Sequence, residues 1–588
     1  MAQWNKNTQD FLNQERSLFE VPMIATKDGE VVDEANRFPV DSVILTGIGT
    51  SAVSISNPLA ITVSQFDRAV SDINPLFITA APGSTAAFGE FQFAELTPLV
   101  QVDAIYGVSN DLLDQTQTYT ALGGIAGIGT TVSGQFNMFG VQSSSTQYSY
   151  GVIRTKRFMR YRPGQGAVGR FTAQFTATGP TGIGSTYIGK AGTQQRAGLF
   201  NQEDALQIGY NGTDFGILLS RQGKAHIHKI TITAGPVAST NATIVLNNVS
   251  YTVPLVSGET TAETAARIAR FTFTGWLVEQ IGAEITFLAS STAPLEGTYS
   301  FTHATATATV TNVRAGVSAQ DIWINQDQWN GDRMTGVGGT TNPTGAKLDP
   351  SKLNVYQIQF RWLGAGIIRF SVEDPRDTGY GSLITLHTIH WSNKYTSTHI
   401  GNPAMKLGLV AYNLDGPTGI VTVSSGSWMM GVEGKIIQND YPRSTSASKS
   451  SLAANTLHHL LSIQNPIVRS NVLNAKEVNP MDLTVGTKSA GNTAAVEVLL
   501  FLDPTPSTGN YVFTQMPQSA LSKSTSTMTF SDTVNTPIAS FIVAANGNQQ
   551  IDLSHYRAVI PAGSILSVAV RSAEPIDSIA GALVWVAD

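Results

Sequence analysis

The clearest alternation of apolar and polar positions lies in residues 352–375, which read KLNVYQIQFRWLGAGIIRFSVEDP. Apolar side chains alternate with glutamine and arginine over 355–362 and recur over 367–372, with a glycine-containing turn between the two runs. This pattern predicts a β-hairpin. A lone hairpin is not stable in water, so we expect this one in the middle of a sheet that packs on a second sheet. Four of its large side chains are predicted to lie in the core: Tyr356, Phe360, Trp362 and Phe370.

Short apolar runs separated by Gly, Pro, Ser and Asn recur along most of the chain and predict further strands. Residues 228–321 have a different pattern. They read as a hairpin around Asn247–Asn248, a helix over the sequence TTAETAARIARF, a second hairpin around Gly282, and then a Thr/Ala-rich strand, YSFTHATATATVTNV. Strand patterns like those of the preceding region resume at Asp321, so we interpret 228–321 as a β-β-α-β-β domain inserted in a loop between two strands.

The beginning of the chain predicts a short amphipathic helix over residues 5–20, NKNTQDFLNQERSLFE. Trp4, Phe11 and Leu18 are seven residues apart and would form one apolar stripe. A helix this short needs a partner surface to stay formed. Two hypotheses remain open, since the helix could cover its own domain or anchor the chain on another subunit.

These patterns predict an all-β, multi-domain chain of jelly-roll or β-sandwich domains, with a small α+β insertion and a short N-terminal helix. A length of 588 residues agrees with several domains, because one core stops growing at about 250–300 residues. The predicted divisions are an N-terminal anchoring arm (1–36), a β-rich N-terminal region (37–147), a host domain in two parts (148–227 and 322–434), the insertion (228–321), a linker (435–456) and a C-terminal β-sandwich (457–588).

Composition narrows the function. Charged residues make up 13% of the chain, against about 25% in typical proteins, and the net charge is −6. Weakly charged β proteins often have surfaces covered by neighbouring subunits, and this charge argues against a nucleic-acid binder that relies on a positive field. The chain has no cysteine, which excludes disulfides and thiolate chemistry. We expect neither a secretion signal nor a membrane-spanning segment, because no long apolar run is present.

The one basic run, YSYGVIRTKRFMRYRPGQGAVGRFTAQF over residues 148–175, interleaves arginines with aromatic residues. This pattern could bind single-stranded nucleic acid by stacking and charge. The interpretation that we favour is a pair of strands joined at Pro163–Gly164, with arginines pairing across strands or subunits. The residues concerned are Arg154, Lys156, Arg157, Phe158, Arg160, Tyr161, Arg162, Arg170 and Phe171.

Two groups could hold a metal ion, although the simpler interpretation assigns them no such role. His387, His390 and His399 have metal-like spacing, but strand alternation would place His387 and His390 on opposite faces. Carboxylates near Tyr380 could bind calcium, or form an ordinary solvated turn. They are Glu373, Asp374 and Asp377. No carboxylate pair, Ser-His-Asp set or phosphate loop can be nominated, so we expect no catalytic residues, metal or cofactor.

Several stretches resemble virion structural proteins of large tailed phages of cyanobacteria and other marine bacteria. They are MAQWNKNTQDFLNQERSLFEV, RFMRYRPGQGAVGRFTAQF, QRAGLFNQEDALQIGYNGTDFGIL and LDPSKLNVYQIQFRWLGAGIIRF. The insertion, with NNVSYTVPLVSGETTAETAARIA, resembles small domains that recur in phage tail and appendage proteins. The host domain resembles a lectin-like jelly roll. The likeness covers residues 1–25 and 148–434, and the C-terminal sandwich only in general terms.

The resemblance implies a non-enzymatic structural component of a tailed-phage virion. We expect a tail- or appendage-associated subunit that self-associates, with a trimer favoured, contacts other virion proteins, and is located in the virion after assembly in the host cytoplasm. Nucleic acid and membrane insertion are not expected. Three alternatives remain: an adhesin that binds host surface glycans, a capsid decoration protein, and a polysaccharide-degrading enzyme.

Deleting residues 1–25 should leave a folded protein that no longer enters particles, because β-sandwiches bury their own faces without help from the arm. Copy number in purified particles is the measurement, and circular dichroism is the folding control. Normal incorporation of the truncated chain would move the anchor elsewhere, with the C-terminal sandwich as the next candidate.

Overall fold

The computed structural model describes residues 96–587, apart from 110, 117–128, 134–136, 180–185, 377–381, 417–418, 435–440, 489–492, 518, 520 and 557. The predicted arm, with Trp4, Phe11 and Leu18, lies outside the described residues. The described part contains 35 strands and one α-helix, and its sheets are antiparallel throughout. The all-β prediction is therefore confirmed. None of the helices in this part is both long and apolar enough to span a bilayer.

The elements fall into four consecutive groups along the chain. The first group is β1 (Leu96–Asp103), β2 (Leu113–Thr116), β3 (Gly129–Ser133), β4 (Met138–Gln142), β5 (Tyr150–Thr155), β6 (Ala167–Phe175), β7 (Thr193–Phe200), β8 (Ala205–Asn211) and β9 (Asp214–Arg221). The second is β10 (Ile227–Ala234), β11 (Asn241–Leu246), β12 (Val249–Pro254), α1 (Thr261–Ala269), β13 (Trp276–Ile281), β14 (Glu284–Ala289), β15 (Ser300–Thr302) and β16 (Thr307–Arg314). The third is β17 (Gln320–Asn325), β18 (Asn354–Phe360), β19 (Ile368–Glu373), β20 (Leu383–Ile389), β21 (Lys406–Asn413), β22 (Thr422–Ser425) and β23 (Ser427–Glu433). The fourth is β24 (Arg443–Leu452), β25 (His458–Gln464), β26 (Val468–Arg469), β27 (Val472–Leu473), β28 (Val478–Lys488), β29 (Val496–Leu502), β30 (Thr514–Gln515), β31 (Ser522–Ser524), β32 (Ala539–Val543), β33 (Asn548–Asp552), β34 (Ile565–Ser572) and β35 (Ile576–Ala587).

Strands β1–β9 and β17–β23 form two large sheets, which together we call the host sandwich. One sheet has the order β20-β19-β18-β6, and beyond β6 it divides into β22-β4-β3 and β23-β1. The other has the order β17-β9-β8-β7-β21-β5-β2. Apolar side chains of both sheets share one core. The sheets approach closely at Gly169, where an added Cβ would lie 3.0 Å from Leu199 Cδ2, so a larger residue there would push against the opposite sheet.

The hairpin formed by β18 and β19 lies inside the first sheet, between β6 and β20. Tyr356, Phe360 and Phe370 are each about 1% exposed, because alternate residues of the two strands face the second sheet. Trp362 differs, since β18 ends at Phe360 and the chain turns before reaching it. Its ring is half-buried at the edge of the core, and its Nε1 donates to the carbonyl oxygen of Ile400 at 3.1 Å.

The division predicted at residue 147 is wrong in the described part of 37–147. Strand β1 pairs with β23, β2 pairs with β5, and β4 pairs with β22, so all three belong to the host sandwich. Short strands between turns carry local information about conformation, but the partners of β1 and β4 lie hundreds of residues away in the sequence, and the partner of β2 lies beyond β3 and β4. Pairing at that distance is decided by packing, which a local pattern does not record.

The second group, β10–β16 with α1, is the inserted segment. It lies between β9 and β17, which are neighbours in a host sheet, with Arg221 paired with Gln320. The segment has a four-stranded sheet, β13-β14-β10-β16, a three-stranded sheet, β12-β11-β15, and its own apolar cluster around α1. Thr260 caps α1 in a capping box with Glu263. Its status as an independent domain stays a prediction.

The predicted outline of the inserted segment needs two corrections. Strand β10 adds to the predicted elements, and the predicted Thr/Ala-rich strand is two strands, β15 and β16; β10 and β16 pair with each other and form the root that joins the segment to the host. The predicted end at Asp321 falls inside β17, which pairs with β9 in the host sheet. The Thr/Ala-rich sequence before Asp321 does not show where one sheet ends and the next begins, because threonine and alanine are compatible with strands of either sheet.

Strands β24–β35 form the C-terminal sandwich, with sheets ordered β24-β35-β28-β33 and β30-β31-β25-β34-β29-β32 over a common core, and β26 and β27 form a separate two-stranded sheet. The linker predicted over 435–456 is wrong where it is described. Residues 443–452 are strand β24, which pairs along its length with β35. Its Ser, Thr and Lys side chains read as a linker, but small polar side chains also suit an exposed edge strand.

Replacing Phe360 with Ala should lower the free energy of unfolding by about 3–5 kcal/mol, because the ring is fully buried. Trp362→Ala should have a smaller effect, about 1–3 kcal/mol, since its ring is half solvated. Urea denaturation of both variants provides the comparison. Equal losses would place Trp362 in the core.

Removing residues 223–318 and joining Gln222 to Ala319 through an Asn-Gly turn should leave a folded host sandwich, because Arg221 and Gln320 are already paired. Thermal unfolding followed by near-ultraviolet circular dichroism tests this. A control deletion of 241–302 removes strands from within the segment and should unfold only the segment. Loss of cooperative unfolding in the first deletion would mean that the inserted segment belongs to the host core.

Candidate functional site

The inserted segment is joined to the C-terminal sandwich by hydrogen bonds along β13. Gln280 Oε1 accepts from the backbone N–H of Phe513 at 3.0 Å, and the N–H of Gly282 donates to the Phe513 carbonyl at 2.6 Å. Beside them, the carboxylate of Glu279 accepts from the N–H of Ile467. Burial raises the pKa of Glu279 to about 7, with the backbone donors opposing the shift. A buried titratable group therefore lies in this contact.

The host sandwich is fixed to the other two parts by two arginines. Arg157 forms a bidentate pair with Glu477 of the C-terminal sandwich, with an Nη2–Oε2 distance of 2.7 Å. Arg314, at the end of β16, donates to the carbonyl oxygens of Ala225 at 2.8 Å and Asn471 at 3.0 Å, and pairs with the buried carboxylate of Glu203. Multiple donors on a planar guanidinium make such contacts geometrically specific.

A cavity of about 380 Å³ opens where these three parts meet. Each part contributes to its wall. The host sandwich contributes Asp114, Arg154, Lys156, Phe158, Gln202 and Lys406; the inserted segment contributes Ala269, Phe271, Thr272, Phe273, Trp276, Leu277 and Val278; the C-terminal sandwich contributes Ile467, Leu473, Asn474, Pro561, Ala562, Gly563 and Ser564. We call it the junction cavity.

The host side of the junction cavity is cationic. Arg154 is paired with Asp114 on the neighbouring strand at 3.1 Å, which neutralises one positive charge. Lys406, the first residue of β21, is about 8% exposed, and within the described residues its ammonium makes no hydrogen bond or ion pair. The Nζ atom lies 4.8 Å from the ring centroid of Phe158. Burial lowers the pKa of Lys406 to about 7, and the nearby charge of Arg154 adds to this shift.

The wall contributed by the inserted segment is aromatic, and a second polar group is unsatisfied. Phe271 and Trp276 are half-buried on the inserted segment, and Phe273 packs behind them against its core. Gln202 is about 9% exposed, and its Oε1 atom has no hydrogen-bond donor among the described residues. The junction cavity therefore combines an unpaired cation, an unpaired acceptor and apolar ring surfaces.

The basic run is divided between several contacts. Strands β5 and β6 belong to different host sheets, so the pair of strands joined at Pro163–Gly164 crosses between sheets. Arg170 donates to Gln357 Oε1 on the adjacent strand β18 at 2.6 Å, as cross-strand pairing predicts. Arg154 and Arg157 are in the ion pairs described above. These three arginines therefore do not form one exposed basic surface.

The three histidines are placed separately. His387 lies on β20 and its Nδ1 accepts from the N–H of Asn330 at 3.2 Å, while burial lowers its pKa. His399 is fully buried beside Trp391, and burial lowers its pKa to about 4. His390 is exposed beyond the end of β20. Across the described part of the chain, no three His, Cys, Asp or Glu side chains are close enough to share a metal ion.

The acidic turn is described only in part. Asp374 accepts from Arg376 through both carboxylate oxygens, and this hydrogen bonding holds the pKa of Asp374 below its usual value. Glu373 is half-buried at the end of β19. Asp377 and Tyr380 lie outside the described residues. An arginine thus occupies the oxygen atoms of Asp374 that a calcium ion would need.

The basic run predicted from the sequence contributes Arg154, Lys156 and Phe158 to the junction cavity, but no sequence pattern predicts the cavity itself. Lys406 is the first residue of an otherwise apolar and glycine-containing strand, KLGLVAYN. Because lysine is almost never fully buried without a partner, a lysine in such a strand is a sequence signal for a functional environment. Gln202, Phe271 and Trp276 have no distinguishing local pattern. They come together because three separate parts of the chain meet, and no local spacing encodes that.

No protein-family model matches the sequence, and no curated protein matches it. Among solved structures, peanut lectin with a bound 9mer peptide has 8% identity, covers 59% of this chain and 100% of its own, and has a TM-score of 0.22. Arcelin-5, a lectin-like defence protein from Phaseolus vulgaris, has 7% identity, covers 57% and 99%, and has a TM-score of 0.20. A structure of Sulfolobus turreted icosahedral virus has 10% identity, covers 71% and 91%, and has a TM-score of 0.13. Likenesses this low identify neither the fold family nor the function of this chain.

The contribution of Glu279 to the stability should fall as the pH rises from about 4.5 to about 7, because Glu279 ionises in the unfolded chain before it ionises in the folded one. The contribution is present below the unfolded pKa and is lost as the pH passes the folded pKa, a change on the order of 3 kcal/mol. Glu279→Gln keeps an acceptor for Ile467 and removes the titration. Its stability relative to the wild type should therefore increase over this range, as measured by urea denaturation at several pH values.

Glu296→Gln is the matched control, since Glu296 is exposed on the same inserted segment. The difference in the free energy of unfolding between Glu296→Gln and the wild type should stay constant with pH. If the same difference for Glu279→Gln is also constant, burial does not raise the pKa of Glu279.

Proposed function

We propose that this chain is a non-enzymatic structural subunit of a tailed-phage virion, associated with the tail or an appendage and built into the particle by self-association. The observation that carries the proposal is the junction of its three β parts. Arg157, Arg314 and Gln280 each join different parts through directional hydrogen bonds. A subunit that transmits load or holds a fixed position in a particle needs such a rigid body.

The junction is also apolar. Phe158, Leu288 and Leu473, one from each part, belong to one buried cluster. Burial of apolar side chains across the three parts adds non-directional stabilisation to the hydrogen bonds, at roughly 25 cal/mol for each Å² removed from water. Domains joined only by flexible linkers would lack both contributions. The likeness of the sequence to phage virion proteins supports the same proposal.

Self-association is assigned to the outer edge of the C-terminal sandwich. Strand β32 is the last strand of its sheet, and Ile542 on it is 67% exposed. Val534 and Ile538, just before it, are also exposed. Sheet edges with unpaired backbone groups and apolar side chains pair readily with another chain, and monomeric proteins usually protect them with charges. This edge carries no such protection at these three positions.

A lysine at position 542 should weaken self-association, because its charge would be buried at the edge of β32. Sedimentation velocity of the wild type and Ile542→Lys should show at least a roughly tenfold rise in the dissociation constant. Ala580→Lys is the control, since Ala580 is exposed on β35, an interior strand of the other sheet. A wild type that stays monomeric, or an Ile542→Lys variant that assembles normally, would contradict the assignment.

Reconstruction of the particle tests the proposed position of the subunit. Density for the two sandwiches on the tail or an appendage would support the proposal. Density on the capsid lattice would favour the capsid decoration alternative, and absence from purified particles would overturn a virion role.

A further inference from the structure

We propose that the junction cavity binds an acidic sugar unit, either a hexuronate or a sulfated hexose. The proposal goes beyond the structural role and does not depend on it. It rests on three features of the cavity wall, and each of them requires a different property of the ligand.

The first feature is the unpaired cation at Lys406. Removing an ammonium from water without an acceptor is unfavourable, and folded proteins normally pair such groups. Arg154 is already paired with Asp114, so it does not need another anion. Lys156, half-buried on the same wall, adds a second positive charge. The carboxylates of Asp114 and Glu477 act on Lys406 electrostatically, but they are already paired with Arg154 and Arg157, so a carboxylate or sulfate in the cavity would be the first direct partner of Lys406.

The second feature is the unpaired acceptor at Gln202. Gln202 lines the cavity, but its Oε1 atom is closed off from it in this conformation and has no donor among the described residues, so a rotation of the side-chain amide is needed to bring it to a ligand. Sulfate has no donor to offer such an acceptor, whereas the hydroxyl groups of a sugar do. Asn474 and Ser564, which also line the cavity, are polar as well. The ligand should therefore carry both a negative charge and hydroxyl groups.

The third feature is the aromatic wall formed by Phe271 and Trp276. The C–H face of a pyranose ring is apolar, and it packs on aromatic rings while its hydroxyl groups point outward. These two rings lie on the inserted segment, whereas Lys406 and Gln202 lie on the host sandwich. A sugar ring in the cavity would therefore be enclosed by side chains of both parts. The volume, about 380 Å³, lies within the usual range for small-ligand sites, roughly 300–1,000 Å³.

Isothermal titration of the full chain with three methyl glycosides tests the proposal. Methyl glucuronide and methyl galactoside 6-sulfate should bind saturably, and at least one of them roughly tenfold or more tighter than neutral methyl glucoside. The two acidic ligands distinguish a uronate site from a sulfated-hexose site. Sodium sulfate is the fourth ligand, and it should compete only weakly because it cannot donate to Gln202.

Lys406→Met should abolish the preference for acidic sugars while keeping the fold, because it removes a buried charge that has no direct partner and replaces it with an unbranched apolar side chain one atom shorter. Gln202→Met should weaken binding of the sugars without improving binding of sulfate. Lys394→Met is the control, since Lys394 is exposed and does not line the cavity. Thermal unfolding of each variant confirms that it is folded.

Each result of these binding experiments either supports or overturns the proposal. A preference for acidic sugars that is lost in Lys406→Met and kept in Lys394→Met supports the proposal. Absence of saturable binding, equal binding of neutral and acidic glycosides, or acidic-sugar binding that survives in Lys406→Met overturns it. Sulfate binding as tight as that of the sugars overturns the sugar assignment. If Lys406→Met does not fold, a Gln202→Met variant that binds the acidic sugars as the wild type does overturns the proposal.

Discussion

Arg314 makes the contact on which the arrangement of the molecule depends. Its guanidinium reaches Glu203 of the host sandwich, the Ala225 carbonyl at the root of the inserted segment, and the Asn471 carbonyl of the C-terminal sandwich. A single planar group with five donors can satisfy acceptors in three directions only if all three are held in place. The three β parts therefore restrict each other, and movement of one would break the hydrogen bonds that Arg314 makes to the others, including that to the buried carboxylate of Glu203.

The junction cavity follows from this arrangement. Its cationic wall and its aromatic wall lie on different parts of the chain, so its width is set by the contacts of Arg314, Arg157 and Gln280 nearby. A site built in this way is preorganised by the packing of whole sheets. Its shape would be lost if the parts were separated, even if each part remained folded.

Local patterns predicted much of the secondary structure and little of its assembly. Alternation gave the hairpin with Phe360 and Phe370, because a strand with one buried face has a period of two residues. The two tight turns of the inserted segment, at Asn247–Asn248 and Gly282, could also be predicted, because tight turns need positive φ angles and asparagine and glycine adopt them readily. The partners of β1–β4, the role of β24 and the environment of Lys406 were not predictable, because each depends on contacts between distant parts of the sequence.

The pairing of β9 with β17 has a consequence for the way in which the chain folds. Arg221 and Gln320 are adjacent in the host sheet, yet the whole inserted segment separates them in the sequence. Closing a flexible loop of that length is entropically unfavourable and slows the formation of the host sheet. Strands β10 and β16, which pair with each other at the root of the segment, bring its two ends together once it has formed. The loss of chain entropy on closure is therefore smallest if the inserted segment folds first and the host sheet forms afterwards.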